Sequence, residues 1–170
     1  RSRAEGYAVG VVAAGIVIAR ADKTGSTTAQ IGGSDTATAQ TAATGVTLAG
    51  GLLDVRATRE DTVAAESKAG AGGVAAGSGS ESRAGALGTA NAAVADRVTI
   101  NGAGSAVSVT ANSTPQVSAV ARGYNGSLAV SIGVSLAEAS ASTQSFATVG
   151  RYNSITAGAL SLNAATLLPI

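Results

Sequence analysis

The chain has 170 residues, about the size of one domain, and 99 of them are alanine (39), glycine (23), serine (19) or threonine (18). It contains no Cys, His, Met or Trp, which excludes disulfide frameworks, thiolate metal sites, cysteine nucleophiles and the commonest general base. A net charge of +1 leaves no electrostatic footprint for nucleic acid or an anionic membrane, and 12% charged residues with a mean hydropathy of +0.30 oppose disorder by composition.

The first element is the apolar run Tyr7–Ala19, which follows Arg1 and Arg3 and imitates a signal peptide. It is too short to cross a bilayer as a helix, which needs about 20 apolar residues, so no membrane span is expected. A second run of the same character, Ser127–Ala137, lies deep in the chain, where a cleaved leader has no place. Both runs are therefore expected to be buried strands. The chain begins with Arg, and the expectation is a piece of a longer or processed polypeptide.

Next comes Gly32-Gly-Ser-Asp35, a single partial echo of a calcium-binding nonapeptide, read as a solvated loop. Thr27, Thr28, Thr36, Thr38, Thr41, Thr44 and Thr47 hint at a flat threonine array, but no later segment repeats it, so ordinary strand and loop threonine is expected. Leu53-Asp-Val-Arg-Ala57 alternates apolar and charged residues, the pattern of a half-buried strand. No stretch holds a convincing period of 3.6; Ala57–Ala71 is the best helix candidate, but its alternation at 63–68 is ambiguous and its repeat neighbours read as extended. Its charges, Arg59-Glu60-Asp61 and Glu66-x-Lys68, read as a solvated outer face. Val98, Ile100, Val107, Val109 and Ala111 continue the period of two. Asn101-Gly102, Asn125-Gly126 and Gly50-Gly51 are turn signals.

Three sets of blocks recur in one order. Val12-Ala-Ala-Gly15, Val74-Ala-Ala-Gly77 and Val130-Ser-Ile-Gly133 step by 62 and 56. Ala29-Gln-Ile-Gly32, Gly85-Ala-Leu-Gly88 and Ala147-Thr-Val-Gly150 step by 56 and 62. Leu53–Ala57, Val107–Ala111 and Leu160–Ala164 step by 54 and 53, each after a Val/Ile-Thr pair at 46, 98 and 155. The segment between the second and third blocks shrinks from copy to copy, which marks a loop. In the middle copy Ser78-Gly-Ser-Glu-Ser82 replaces an apolar block, and looser local packing is expected there.

Short strands, tandem order and small side chains predict an all-β parallel β-solenoid (β-helix) of about three imperfect repeats of 53–62 residues, with approximate units 5–66, 67–122 and 123–170 in a single segment over 1–170. Stacked strands sit about 4.8 Å apart, so ladders of Ala, Val, Ile and Ser can fill a narrow interior without aromatic rings. The alternative fold is an antiparallel β-sandwich using the Asn-Gly turns. Some block spacings suit a coil of about twenty residues and others are too short for one, so the blocks read either as coils or as faces of one coil.

The pattern of apolar-Gly-Val-x-Leu/Ile-Ala, then Ala-x-Val/Ile-Gly, then Val/Ile-Thr-x-Gly-x-Leu-x-Val-x-Ala resembles the repeats of filamentous-haemagglutinin-like and autotransporter adhesins, giant bacterial surface proteins with parallel β-helix passengers. It is carried by Gly133–Ala139, Ala147–Gly150 and Ile155–Ala164, and by the earlier blocks. The resemblance implies secretion across an outer membrane, an extended cell-surface rod, and adhesion or matrix building. The expected partners are other copies or adjacent repeats end to end, and cell-surface glycans or proteins.

No catalytic residue, cofactor or metal ligand is singled out. The ten carboxylates are scattered, which gives a paired-carboxylate hydrolase little to work with. A Ser-Lys dyad on Lys23 or Lys68 has no supporting spacing. Asn112-Ser-Thr114 and Asn125-Gly-Ser127 fit the glycosylation sequon, which is frequent by chance in such a composition. The expectation is a non-enzymatic structural segment, with a glycan- or surface-binding module second and a polysaccharide-acting enzyme third.

Overall fold

The structure is a computed structural model that describes residues 1–33 and 44–168. Those residues form strands and no helix: β1 (Ser2–Val9), β2 (Val12–Ile31), β3 (Thr44–Thr47), β4 (Leu52–Val94), β5 (Val98–Val149) and β6 (Ser154–Thr166). The sheet order is β1-β4-β5-β3, with β2 also on β4 and β6 also on β5. The β1/β4, β3/β5 and β5/β6 pairings are parallel, which is not the pairing of an antiparallel sandwich. Among the described residues no helix is long and apolar enough to cross a membrane.

Register partners lie far apart in sequence. Ser2 faces Ala65, 63 positions on; Val46 faces Ile100, 54 on; Val107 faces Leu160, 53 on. The blocks read from the sequence are thus parts of one pass rather than separate coils. The Leu53/Val107/Leu160 set matches the structure: Val107, Val109 and Ala111 face Leu160, Leu162 and Ala164, and Leu53 packs on the same cluster as Val107. The other sets slip. Val46 and Ile155 both face Ile100, two residues beyond Val98, which keeps the same face. The middle partner of Ile31 and Gly150 is Val94-Ala95, not Leu87: Ala95 N donates to Ile31 O and Gly150 N to Val94 O, each at 2.8 Å.

The helix candidate Ala57–Ala71 lies inside β4. Positions 55, 57, 59, 61, 63, 65, 67, 69 and 71 are all buried, a period of two that a helix would break. Tertiary packing of that stripe outweighs the helix propensity of alanine. Tyr7–Ala19 and Ser127–Ala137 are largely strand as expected, but not buried throughout. Ala13, Val17 and Ala19 point inward, whereas Val9, Val12, Ile16, Leu128, Val130 and Ile132 are exposed.

The chain divides into two compact units, each of three segments. Unit 1 comprises Arg1–Thr24, Asp61–Leu87 and Pro115–Ser142. Its interior is thin and alanine-lined: Ala19, Val63, Ala65, Ala84 and Ala86 form one cluster, and Ala13, Ala71 and Ala76 another. At one end of this unit the backbones nearly touch. A Cβ on Gly73 would run into the carbonyl oxygen of Gly10, so only glycine fits there. Unit 2 comprises Gly25–Glu60, Gly88–Thr114 and Thr143–Ile170. Its core is more aliphatic, with Val55, Val94, Val98, Ile100, Val107 and Val109 buried together.

Candidate functional site

The ion-pair ladders and the tyrosine groove lie in unit 1, while unit 2 sets the Arg97 guanidinium over the Tyr152 ring, 5.8 Å from its centre. On one face β1 and β4 run in register, so Arg3 and Glu5 lie beside Glu66 and Lys68. Lys68 Nζ sits 3.3 Å from both Glu66 and Glu5, Arg3 pairs with Glu5, and Arg122 lies 3.7 Å from Glu66. Hydrogen bonds from Arg3 and then Lys68 hold the Glu5 carboxyl below its ordinary pKa. Hydrogen bonds to Glu66 and then Glu5 push the Lys68 ammonium above its own. That is the opposite of what a Ser-Lys general base requires. The other lysine of that suggestion, Lys23, donates to Asp61 at 2.7 Å.

On the other face a second ladder joins Arg20 to Glu81 at 3.8 Å, Arg83 to Glu81 at 2.5 Å and Arg83 to Glu138 at 3.6 Å. Neither ladder is evident from the repeat blocks, although the spacing carries the signal: steps of 63 and 55 bring Arg20, Arg83 and Glu138 into one column. A step of 62 for the first block hides it, because a one-residue slip swaps inward and outward positions.

The charged stretch Arg59-Glu60-Asp61, expected on a solvated face, is split by the strand's alternation. Glu60 is exposed, while Arg59 and Asp61 are buried. In unit 2 the Arg59 guanidinium occupies the space that a side chain on Gly88 would fill. The serine-rich middle block, expected to be loose, is strand with a buried hydroxyl cluster. Ser67 Oγ lies 3.2 Å from Ser80 Oγ and 3.0 Å from Ser82 Oγ, and Ser82 Oγ is 2.7 Å from Val120 O. Ser82 has one hydroxyl proton, so it donates to one of its two acceptors at a time.

A groove of about 610 Å³ runs between Tyr7 and Tyr124 over a floor of Gly70 and Gly72, with Asn125 and Gly126 at its side. The Tyr7 ring lies where a Gly70 side chain would be. Asn125, a sequon residue, donates from Nδ2 to Ile132 O at 2.7 Å; Asn112, the other, is half-buried and faces Ala165. In the partial calcium motif, Gly32 has a φ of 86°, while Ser34 and Asp35 lie outside the described residues, as do Thr36, Thr38 and Thr41. Among the described residues no group of three or more acidic, His or Cys side chains is placed to hold a metal ion.

The three segments of unit 1 form a first row (1–24), a middle row (61–87) and a last row (115–142). Inward residues are covered in the middle row (Val63, Ala65, Ser67, Ala69) and in the first (Ala13, Val17, Ala19). The outward Ile16 and Ile18 of the first row are exposed, and so are Val130, Ile132, Val134 and Leu136 of the last. No protein-family model, curated protein or solved structure matches this chain.

Proposed function

We propose that this chain is a non-enzymatic structural segment of a β-solenoid, built of the three imperfect repeats and serving as a stiff scaffold in a large secreted or cell-surface protein of the haemagglutinin-like and autotransporter kind. The observation that carries the reading is the common scale of two steps. The sequence blocks recur at steps of 53 to 62, and parallel register partners differ in number by 53 to 63. Each repeat then stacks on the previous one, and small residues recur wherever two layers must approach. Continuous backbone ladders give stiffness without a bulky core. Adhesion or matrix building follows as the role, with neighbouring repeats, other copies or surface glycans as partners.

Electron micrographs test this. The expected result is straight particles whose diffraction shows a spacing of about 4.8 Å along the long axis. Glycan cleavage by the purified chain, lost on replacing one carboxylate, would overturn the non-enzymatic reading.

The tyrosine groove favours a second reading, a glycan-binding module. Two exposed rings beside a glycine floor suit stacking against sugar faces. Titration with oligosaccharides, followed by tyrosine emission in this tryptophan-free chain, should then show saturable quenching that Tyr124→Ala removes.

A further inference from the structure

We propose that the last strand row of unit 1, within residues 115–142, receives the first row, within residues 1–24, of a second copy of this chain, head to tail and in parallel register. The proposal rests on the stacked-repeat reading above and adds the polarity and chemistry of the joint.

Contacts fix which residues share a column across unit 1. Ile16 lies over Gly79, and Asp22 and Ser140 both lie over Gly85. The columns are therefore Ile16–Gly79–Val134, Ile18–Glu81–Leu136 and Arg20–Arg83–Glu138. The Arg83–Glu138 ion pair at 3.6 Å agrees with the last of these. On the opposite face Glu5 is the register partner of Lys68. Gly72 lies beside Gly126, which places Arg122 next to Lys68.

Continuing each column by one more row puts the next copy's first row beside this copy's last. Glu138 then meets Arg20, Arg122 meets Glu5, Leu136 meets Ile18, and Val134 meets Ile16. All four junctions are complementary. The columns inside the unit are less so: Arg20 lies beside Arg83 and Lys68 beside Arg122, like charges relieved sideways by Glu81 and Glu66. The edges are also available. In the sheet order β1 and β2 each neighbour β4 and no other strand among the described residues. Ile16 and Ile18 on one edge row, and Val134 and Leu136 on the other, are exposed apolar side chains in this chain. Because the two surfaces differ, the contact is heterologous and propagates as a filament rather than closing as a dimer.

The test is sedimentation of the whole chain over a concentration series, with Arg20→Glu, Glu138→Arg and their mixture. The expected wild-type result is species at rising multiples of 16.1 kDa. Each reversal alone sets like charges together at the joint and should raise the concentration needed for assembly by at least about tenfold. Mixing the two restores it, since the unaltered tail of one meets the unaltered head of the other and the altered ends also match. Leu136→Gln, exposed in the monomer, should weaken assembly without the charge change and guards against a reversal that fails to fold. A wild-type chain that stays monomeric across the series overturns the proposal, as does assembly that survives both reversals or mixing that restores nothing. Any of these with an intact β-rich circular dichroism spectrum leaves the scaffold reading standing, whereas a mainly helical spectrum removes both.

Discussion

Asp61 is a carboxylate held at 1% exposure, and Lys23 is a cation brought to it from a side chain half in water. Removing one partner of an ion pair costs about 3–5 kcal/mol when both are buried. Here Lys23 is already half solvated, so Lys23→Met should cost less than that range. Adding Asp61→Asn to it should recover part of the loss, because a neutral amide is cheaper to bury than a carboxylate that has lost a cation. Urea midpoints of the two variants check this, and a double variant less stable than Lys23→Met would contradict it. The buried serines follow the same logic. Ser82→Ala deprives Ser67 Oγ and the Val120 carbonyl of a neighbour and should cost about 1–3 kcal/mol by urea denaturation.

Burial along a column depends on which row a side chain occupies. Val107 and Leu160 are register partners, yet Val107 is 1% exposed and Leu160 is 48% exposed. Truncating Val107 to Ala removes apolar atoms from a closed interior and leaves a cavity, at about 2 kcal/mol or more. Leu160→Ala removes more atoms but from a wet edge, and should cost less. Thermal unfolding of the two variants would refute this if their order were reversed. The period of two at 53–57, 107–111 and 160–164 makes these strands and their alignment readable, because apolar and polar residues alternate there without ambiguity. Around Gly15 and Gly77 the alignment is lost because glycine and alanine dominate, and such residues look alike on either face. Arg59 and Asp61 escape a sequence reading for a related reason. Charge argues for water, but alternation within β4 sets their direction, and Gly88 leaves room for the guanidinium. The ion-pair ladders depend on register to the single residue, which block matching in a low-complexity chain does not deliver.

With no histidine, no side chain with an ordinary pKa titrates between the carboxylates and the tyrosines and lysines. The ladder at Glu5 and Lys68 sets the signs at the two ends of the pH scale. Glu5 is held below its ordinary value of 4.5 in the folded chain, so it binds protons less readily there than when unfolded. Its stabilising contribution is present above that value and is lost as pH falls through the lowered folded pKa. Lys68 is raised above 10.5, so its contribution is full below that value and is lost as pH climbs through the raised folded pKa. The expected profile is a flat plateau of urea midpoint from about pH 6 to 9, with a fall on each side. Glu5→Gln should lower the plateau slightly, since the pair lies near solvent and is screened, and should flatten the acid limb. It also removes one of the two charges that keep Lys68 protonated, so the alkaline fall should begin at lower pH. A Glu5→Gln profile unchanged at both ends would show that the ladder does not contribute to folding, and Glu5 would then matter only at the joint with a second copy.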